Sequence, residues 1–433
     1  MSDRPTRRKN LPALIILCVL ALALVVLVTM RAASTPKEEV EATAAPSASP
    51  EVTSAPSAAA ETAVEETPTP SPTATPEPTP EPEPEYFTVS MVGDCTLAEA
   101  KTRRGWGTAF QTVVGKNYAY PFEKVVQYLD EDYLTIANLE CNLSDNYYDS
   151  IEQFVFLAPA DYANILTEGS VEFVTLANNH TTDFGQTAYD DTTAALDSVG
   201  VAYAGEDETY IYESDGGVKI GLYCLYNQLT YNNLSLLSTT AQEQLIAASR
   251  EKIAAGLEKL KADGADFAIA CLHMGREGYY EPTDTQTELC RYSIDTGFNA
   301  VYCTHAHRLQ PAESYGGGVI FYGLGNFIFG GHTNPGNGTD PGAYDTGIAQ
   351  LTLCRTGDTV TLESYSFIPC SISSTVGPDS TYLDANTLNN YQPQPYTEGG
   401  EAWNRTMTML NGTYEGANYQ TDYGNVLEAM NNG

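Results

Sequence analysis

Apolar positions after residue 85 fall into two kinds of segment, short unbroken runs and longer stretches with helical spacing. The short runs are rich in β-branched and aromatic residues, which is typical of buried strands. They cover residues 87–92, 134–137, 171–177, 218–226, 267–272, 300–303 and 319–322. The stretches predicted as helices are 121–130, 186–199, 241–262 and 284–296. Two further predicted strands, 348–353 and 359–368, follow them, and the alternation predicts a layered α/β fold.

Polar side chains follow five of the predicted strands, at the point where each strand ends. In open α/β sheets, ligands bind just outside the carboxyl ends of the strands, so we expect these side chains to converge on one rim. They are Asp94, Glu140, Asn179 with His180, His273, and His305 with His307.

The histidines sharpen this expectation, because four of the five in the chain lie at these strand ends. One such histidine is usually an ordinary surface residue, but four of them mixed with carboxylates and an amide indicate metal binding. Mixed imidazole, carboxylate and amide ligands suit Mn, Fe or Zn. The sequence therefore predicts a divalent metal site.

The N-terminus contains a candidate membrane anchor. Residues 11–30 carry no charge and are preceded by four basic residues. At about 1.5 Å per residue, a helix of this length spans roughly 30 Å, the thickness of the bilayer core. Because basic flanks stay cytoplasmic, we expect residues 1–10 to be a cytoplasmic tail and the main domain to be extracellular, with a single membrane span. A cleaved signal peptide is the alternative.

Residues 31–85 consist mainly of Ala, Ser, Thr, Pro and Glu. Such a composition cannot bury enough apolar surface to offset its ordering entropy, so we expect a disordered, extended linker. The globular domain is then 86–375. Residues 376–433 are rich in Tyr, Asn and Gly, and we expect them to form an irregular C-terminal extension.

Charge restricts the partners of this protein. The chain carries a net charge of −35, of which −29 belongs to residues 86–433. A surface this acidic excludes nucleic acid as a partner, because few basic groups are available to displace phosphate counterions. It is also unsuited to docking on anionic lipid.

The strand-end residues belong to six short motifs, and the order of these motifs along the chain is informative. They are Gly93-Asp94, Asn138-Leu139-Glu140, Asn178-Asn179-His180, His273-Met274-Gly275, His305-Ala306-His307 and Gly323-Leu324-Gly325-Asn326-Phe327. This series, from about residue 86 to 329, resembles the CapA family of poly-γ-glutamate capsule synthesis proteins, which are built like calcineurin-type metallophosphatases.

The resemblance implies a four-layer α/β/β/α sandwich of metallophosphatase type, with a site for one or two divalent ions at the strand ends. By motif position, Asp94 and His307 bind one ion, Asn179, His273 and His305 bind the other, and Glu140 takes the place of the bridging aspartate.

The resemblance also assigns supporting roles. His180 is the expected catalytic acid, which protonates a leaving group. Asp183 and Glu277 are candidate partners for histidine N–H groups. Gln310 and Asn326 are expected to form hydrogen bonds at the rim of the site.

Two departures from the metallophosphatase pattern leave the function open. Thr96 stands where those enzymes have a histidine, and the arginine usual in the family just after this motif is missing. The expected function is therefore a membrane-anchored, extracellular protein of capsule or exopolymer biosynthesis with a metal-dependent hydrolase site. The alternative is a non-catalytic surface protein that binds polymer or assists export. The expected partners are an anionic exopolymer or phosphoester and other capsule-synthesis membrane proteins.

Overall fold

The computed structural model describes residues 82–414, apart from gaps at 103–104, 107–108, 147, 149–153, 215, 228–236, 332–339 and 376–388. The predicted cytoplasmic tail, membrane anchor and nearly all of the linker lie outside these residues. Within them, no helix is both long and apolar enough to cross a membrane.

The described part of the chain contains two large mixed β-sheets. The strands are β1 (Glu85–Thr96), β2 (Lys101–Thr102), β3 (Gly105–Trp106), β4 (Leu134–Leu139), β5 (Asn142–Leu143), β6 (Leu157–Ala158), β7 (Phe173–Thr175), β8 (Ala202–Ala204), β9 (Glu208–Glu213), β10 (Lys219–Tyr226), β11 (Phe267–His273), β12 (Ala300–Thr304), β13 (Ala312–Tyr315), β14 (Gly318–Phe321), β15 (Asn326–Phe329), β16 (Asp345–Thr356), β17 (Thr359–Ser371) and β18 (Gln394–Pro395). The α-helices are α1 (Ala109–Val114), α2 (Ala163–Glu168), α3 (Gln186–Val199), α4 (Thr239–Ala262), α5 (Asp284–Thr296) and α6 (Glu401–Leu410).

The first sheet has the strand order β18-β17-β16-β1-β4-β7-β8, and β15 pairs with the end of β1. The second sheet has the order β13-β14-β12-β11-β10-β9. Strands β1, β4, β7 and β8 run parallel in the first sheet, as do β10, β11, β12 and β14 in the second. The ends of these parallel strands carry the polar residues singled out in the sequence.

Three buried clusters arrange the sheets and helices in layers. Met91 and Ile136 of the first sheet share one apolar cluster with Leu222 and Ile269 of the second, so the sheets pack face to face. Helices α2 and α3 cover the other face of the first sheet. Helices α4 and α5 cover the other face of the second. The predicted layered α/β fold is confirmed.

Helices α3 and α5 have the bounds predicted from the sequence, and local signals explain why. Helix α5 begins with a capping box, in which Thr283 Oγ1 accepts from Gln286 N at 3.1 Å and Gln286 Oε1 accepts from Thr283 N at 3.3 Å. Helix α3 ends at Gly200, whose φ of 78° is readily adopted by glycine.

The helix predicted at 121–130 is wrong. Phe122, Val125 and Leu129 are buried at helical spacing, but the segment forms turns around a single 3₁₀ turn at Val126–Tyr128. Its backbone bonds mix i→i−3 with i→i−4 pairs, among them Val125 N to Phe122 O and Asp130 N to Val126 O. Apolar spacing of three and four residues is common to both helix types, so it could not distinguish them.

The C-terminal segment is more regular than its composition suggested. Within 389–414, the part of the expected irregular extension that the structure describes, strand β18 lies at the edge of the first sheet and helix α6 follows it. Ala402, Thr406, Met409 and Leu410 form the buried side of α6, at spacings of three and four residues. Small and polar residues occupy half of this buried face, so the segment has few of the aliphatic residues whose spacing predicts a helix.

Gly93 permits a close backbone approach next to the rim. A Cβ at this position would lie 2.1 Å from the carbonyl oxygen of Gly325 and 3.0 Å from that of Leu324. The neighbouring amide of Asp94 donates to the Gly325 carbonyl at 2.9 Å. Since both obstructing atoms belong to the backbone, a side chain at position 93 would push β1 away from residues 324–325.

Gly93→Ala should therefore lower the free energy of unfolding by about 1–3 kcal/mol, the usual cost of an overpacked site. Urea unfolding measures the change. The matched control is Gly216→Ala, whose nearest new contact is a Phe87 ring atom at 3.1 Å and which should cost less than about 0.5 kcal/mol. Equal losses in the two variants would contradict the close-approach argument.

Candidate metal centre

The carboxyl ends of five parallel strands bring the predicted residues together. Asp94 belongs to the end of β1 and Glu140 directly follows β4, while His273 is the last residue of β11. Asn179 and His180 lie in the loop after β7, and His305 and His307 lie in the turn after β12.

Two groups of possible metal ligands form at this rim and share Glu140. Glu140, His273 and His305 place their ligand atoms within 4.8 Å of one another, and so do Asp94, Glu140 and His307. The first of these groups is called the β11 group below, and the second the β1 group. The shared carboxylate is the arrangement expected when one residue bridges two ions.

Glu140 Oε1 is the centre of this arrangement. It lies 3.7 Å from His273 Nε2, 3.9 Å from His307 Nε2 and 3.9 Å from His180 Nε2. These separations are too long for hydrogen bonds. Ligand bonds of about 2.0–2.2 Å place two donors of one ion up to roughly 4 Å apart, so the spacing suits shared coordination.

Buried polar atoms at the site that have no hydrogen-bond partner among the described residues also suit a metal ion. Glu140 is fully buried, and among the described residues neither of its carboxylate oxygens has a hydrogen-bond partner. Nδ1 of the buried His305 has none either. Buried polar atoms are normally paired, so two carboxylate oxygens and an imidazole nitrogen left unpaired at one point are best explained by a bound cation.

His273 is held at both ring nitrogens. Its Nδ1 lies 2.8 Å from Thr304 Oγ1, and its Nε2 lies 2.7 Å from Asn179 Oδ1. The amide oxygen of Asn179 is therefore next to the β11 group, as the resemblance implied.

Two asparagines that the sequence analysis did not select support the ligands. Asn138 Nδ2 donates to Asp94 Oδ1 at 2.8 Å, and Asn178 Nδ2 donates to Asn138 Oδ1 at 3.0 Å and to the Leu139 carbonyl at 2.8 Å. Both are buried and stand at strand ends next to selected residues. Their position at strand ends indicated a role in the site. A neutral amide side chain, however, is weaker evidence for a metal site than a carboxylate or an imidazole.

The pKa values of the site follow from its burial. Burial, reinforced by the charge of Asp94, raises the pKa of Glu140 well above its usual range. Burial lowers the pKa of His273 well below its usual range and the pKa of His305 to about 4. Burial alone would also lower the pKa of His307, but the Glu140 and Asp94 carboxylates outweigh it and raise this pKa to about 10.

These shifts distinguish the two groups. The imidazoles of the β11 group are neutral at pH 7 and ready to donate a lone pair. In the β1 group, His307 carries a proton that an incoming cation must displace. Metal binding there should release a proton, so its affinity should rise with pH.

His180 is oriented by Asp183. Its Nδ1 lies 3.0 Å from Asp183 Oδ2, which also accepts from the amide of Phe156 at 2.9 Å. The Phe156 ring stands edge-on to the imidazole, with centroids 4.6 Å apart. His180 is thereby fixed with Nε2 toward Glu140.

The remaining predicted residues differ in their outcome. Asn326 Oδ1 lies 2.9 Å from His307 Nδ1, so it does contact the site. Glu277 acts through its charge, which helps raise the pKa of His307. Gln310 is not a rim residue. It is fully buried, and its amide group pairs with the Tyr279 carbonyl and with Gln286.

Residues 88–331 match the model of the family described as "Bacterial capsule synthesis protein PGA_cap". The chain belongs to this family. The matched range contains every proposed metal ligand, from Asp94 to His307, and excludes β16, β17 and α6.

Two curated relatives agree with the family. The chain is 26% identical to "Capsule biosynthesis protein CapA" of Bacillus anthracis over 259 residues, which is 57% of this chain and 60% of that protein. It is 28% identical to "PGA biosynthesis protein CapA" of Bacillus subtilis (strain 168) over 194 residues, which is 42% of this chain and 49% of that protein. The matches thus span only about half to three-fifths of each relative.

Among solved structures, the calcineurin-like phosphoesterase YfkN from Bacillus subtilis aligns with 81% of this chain and 100% of that chain. The sequence identity is 13% and the TM-score is 0.36, which is too low to support an argument.

The two ligand groups should be separable by substitution. His273→Ala removes a donor from the β11 group and Asp94→Asn removes a charge from the β1 group, so each should weaken one divalent-ion binding event by at least about tenfold. Calorimetric titration with Zn²⁺ or Mn²⁺ measures both events. Glu313→Gln, which alters an exposed pair with Arg291, is the control. Titrations that match the wild type for both ligand variants would reject the assignment.

Proposed function

We propose that this protein is a cell-surface component of capsule or exopolymer biosynthesis whose metal centre hydrolyses a phosphoester or amide-like bond. The observation that carries the proposal is the buried Glu140 carboxylate, which is shared by two groups of ligands and has no hydrogen-bond partner in the described part of the chain. The family, and the capsule and PGA biosynthesis named for its relatives, support the biological context.

The chain's own residues divide the work between binding and proton transfer. Asp94, Glu140 and His307 would hold one ion, and Asn179, His273 and His305, with Glu140, would hold the other. Two divalent ions in such a site supply Lewis acidity and an activated water.

His180 is placed to give a proton to the departing group. Its imidazole is oriented by Asp183 and is partly exposed, with 14% of the side chain accessible. Histidine is the usual proton donor near neutral pH. The His307 side chain, 17% exposed, borders the same opening. A substrate would therefore approach the ligands past these two imidazoles.

The acidic surface bears on the substrate. With −29 over residues 86–433, an anionic polymer or phosphoester is repelled until bound cations offset the charge at the rim. Metal binding would then serve attraction as well as chemistry. Other capsule-synthesis membrane proteins are the expected protein partners.

We further infer that residues 11–30 anchor the protein and that the 31–85 linker holds the domain outside the membrane. The uncharged run and its basic flank support this orientation.

Protease added to intact cells should release a soluble fragment by cutting within residues 31–85, since the composition of that segment predicts an accessible, unstructured chain. Immunoblotting of the supernatant detects the fragment. Protection of the domain until the membrane is breached would reject the external location.

Catalysis predicts that His180→Gln lowers turnover by about 10²–10⁴-fold, the usual contribution of a general acid, while metal content stays unchanged. Turnover of a chromogenic phosphodiester and metal content are measured on the same preparation. Equal turnover in variant and wild type would exclude His180 as the acid.

A second candidate function is metal-dependent polymer binding without hydrolysis. Thr96 favours it, because Thr96 stands where metallophosphatases have a histidine. This residue is fully buried two positions after Asp94, and its hydroxyl has no partner among the described residues. Thr96→His would place a nitrogen donor beside the β1 group. A wild type that binds metal but has no turnover, together with a Thr96→His variant that binds two ions and also has none, would favour the binding function.

A further inference from the structure

The turn that carries His305 and His307 has an unfavourable backbone. His305 has a φ of 96° and His307 a φ of 51°, although neither is glycine. Such conformations persist only where the surroundings impose them. Contacts at the His307 end of this turn therefore help decide whether the imidazole of the β1 group faces the metal centre.

Arg308 supplies one such contact from beneath the turn. Its guanidinium donates through Nη1 to the His307 carbonyl at 2.8 Å, and its Nη2 lies 3.3 Å from Asp340 Oδ2. The pair is nearly inaccessible, with 9% of the arginine and 5% of the aspartate side chain exposed. Tyr280 donates to the same carboxylate, with its hydroxyl 2.7 and 2.8 Å from the two oxygens.

A second buried pair supports the other side of the β1 group. Arg405 of α6 binds Asp345 through two bonds of 2.7 Å, and Tyr396 donates to the same carboxylate at 2.7 Å. The Asp345 carbonyl lies close to Gly325, where a Cβ added to the glycine would be 3.0 Å from the carbonyl oxygen.

Residues 324–326 transmit this support to the ligands. Thr346 Oγ1 donates to the Leu324 carbonyl at 2.7 Å, and the Gly325 carbonyl accepts from Asp94 N at 2.9 Å. Asn326 follows and lies 2.9 Å from His307 Nδ1. The second pair thus reaches Asp94 and His307 through one short segment.

We propose that these two pairs, Arg308–Asp340 and Arg405–Asp345, are positioning residues that hold the β1 group in its metal-binding arrangement. We call them the clasp. Asp340, Asp345 and Arg405 lie beyond the family match at 88–331, so the C-terminal segment completes a site whose ligands all lie within that match. The inference rests on the proposed metal centre and assigns no new ligand.

The β11 group depends on different contacts. His273 is the last residue of β11 and is held by Thr304 and Asn179. The carbonyl of Ala306, between the two histidines of the turn, accepts from Gly278 N at 2.8 Å. Loss of the clasp should therefore weaken the β1 group more than the β11 group.

The test removes Arg308–Asp340 without leaving a buried charge unpaired. Arg308→Met combined with Asp340→Asn keeps an acceptor for Tyr280 and fills the arginine's space, a replacement that buried ion pairs often tolerate. The matched control, Arg291→Met with Glu313→Gln, removes an exposed Arg–Glu pair of the second sheet and α5.

Each pair of substitutions is placed in two backgrounds. His273→Ala leaves the β1 group intact, and Asp94→Asn leaves the β11 group intact. Calorimetric titration with Zn²⁺ gives the dissociation constant in each, and thermal melting without metal reports folding.

We expect the clasp variant to bind Zn²⁺ about tenfold more weakly in the His273→Ala background, the usual effect of losing support around a ligand. In the Asp94→Asn background, and for the control in both, the constant should change by less than about twofold. Unchanged binding in the His273→Ala background, or an equal loss in the two backgrounds, would overturn the proposal.

If the double substitution does not fold, Tyr280→Phe replaces it, because it removes only a hydroxyl from Asp340. The same selective weakening is then expected, with a smaller size, and an unchanged constant overturns the proposal. Absence of turnover in the wild type would reject hydrolysis and leave the clasp to be judged by Zn²⁺ binding. A wild type that binds no Zn²⁺ would overturn both.

Discussion

A buried carboxylate that has no hydrogen-bond partner among the described residues is the constraint on which the rest of this structure depends. Glu140 is inaccessible to water, and its Oε1 lies 3.7–3.9 Å from three imidazoles. An isolated carboxylate in such a place is costly, and it either becomes protonated or acquires a cation. The raised pKa of Glu140 describes the first outcome. The arrangement of donors around it suits the second.

The two packed sheets make this arrangement possible. Parallel strands of both sheets end at one rim, so Asp94 and Glu140 from the first sheet meet His273 and the His305–His307 turn from the second. Face-to-face packing, through residues such as Met91 and Ile269, fixes the distance between these ends. The positions of the metal ligands therefore depend on the packing of the sheets. A change such as Gly93→Ala, which pushes β1 away from residues 324–325, should affect both the stability of the fold and the positions of the ligands.

Much of the site could be predicted, and the part that could not has a common cause. Strand ends and ligand chemistry are visible in short segments, so Asp94, Glu140 and the histidines were selected correctly as neighbours. Asn138 was not selected, because its importance lies in joining Asp94 to Asn178, 40 residues further along the chain. Gln310 was predicted at the rim, but it is buried away from it. A polar residue in a motif can pair with buried backbone groups as well as with groups of the site, and the sequence does not distinguish the two.

By itself, the sequence determined the alternation of strands and helices, the family and the set of possible ligands. These depend on local periodicity and on side-chain chemistry, which a short segment contains in full. Only the tertiary structure decided that Glu140 is shared by two groups, that the His305–His307 turn has positive φ values and that Asp340 and Arg405 support it. Those features arise from contacts between segments far apart in the chain, whose distances are set by the packing of the sheets and the C-terminal helix.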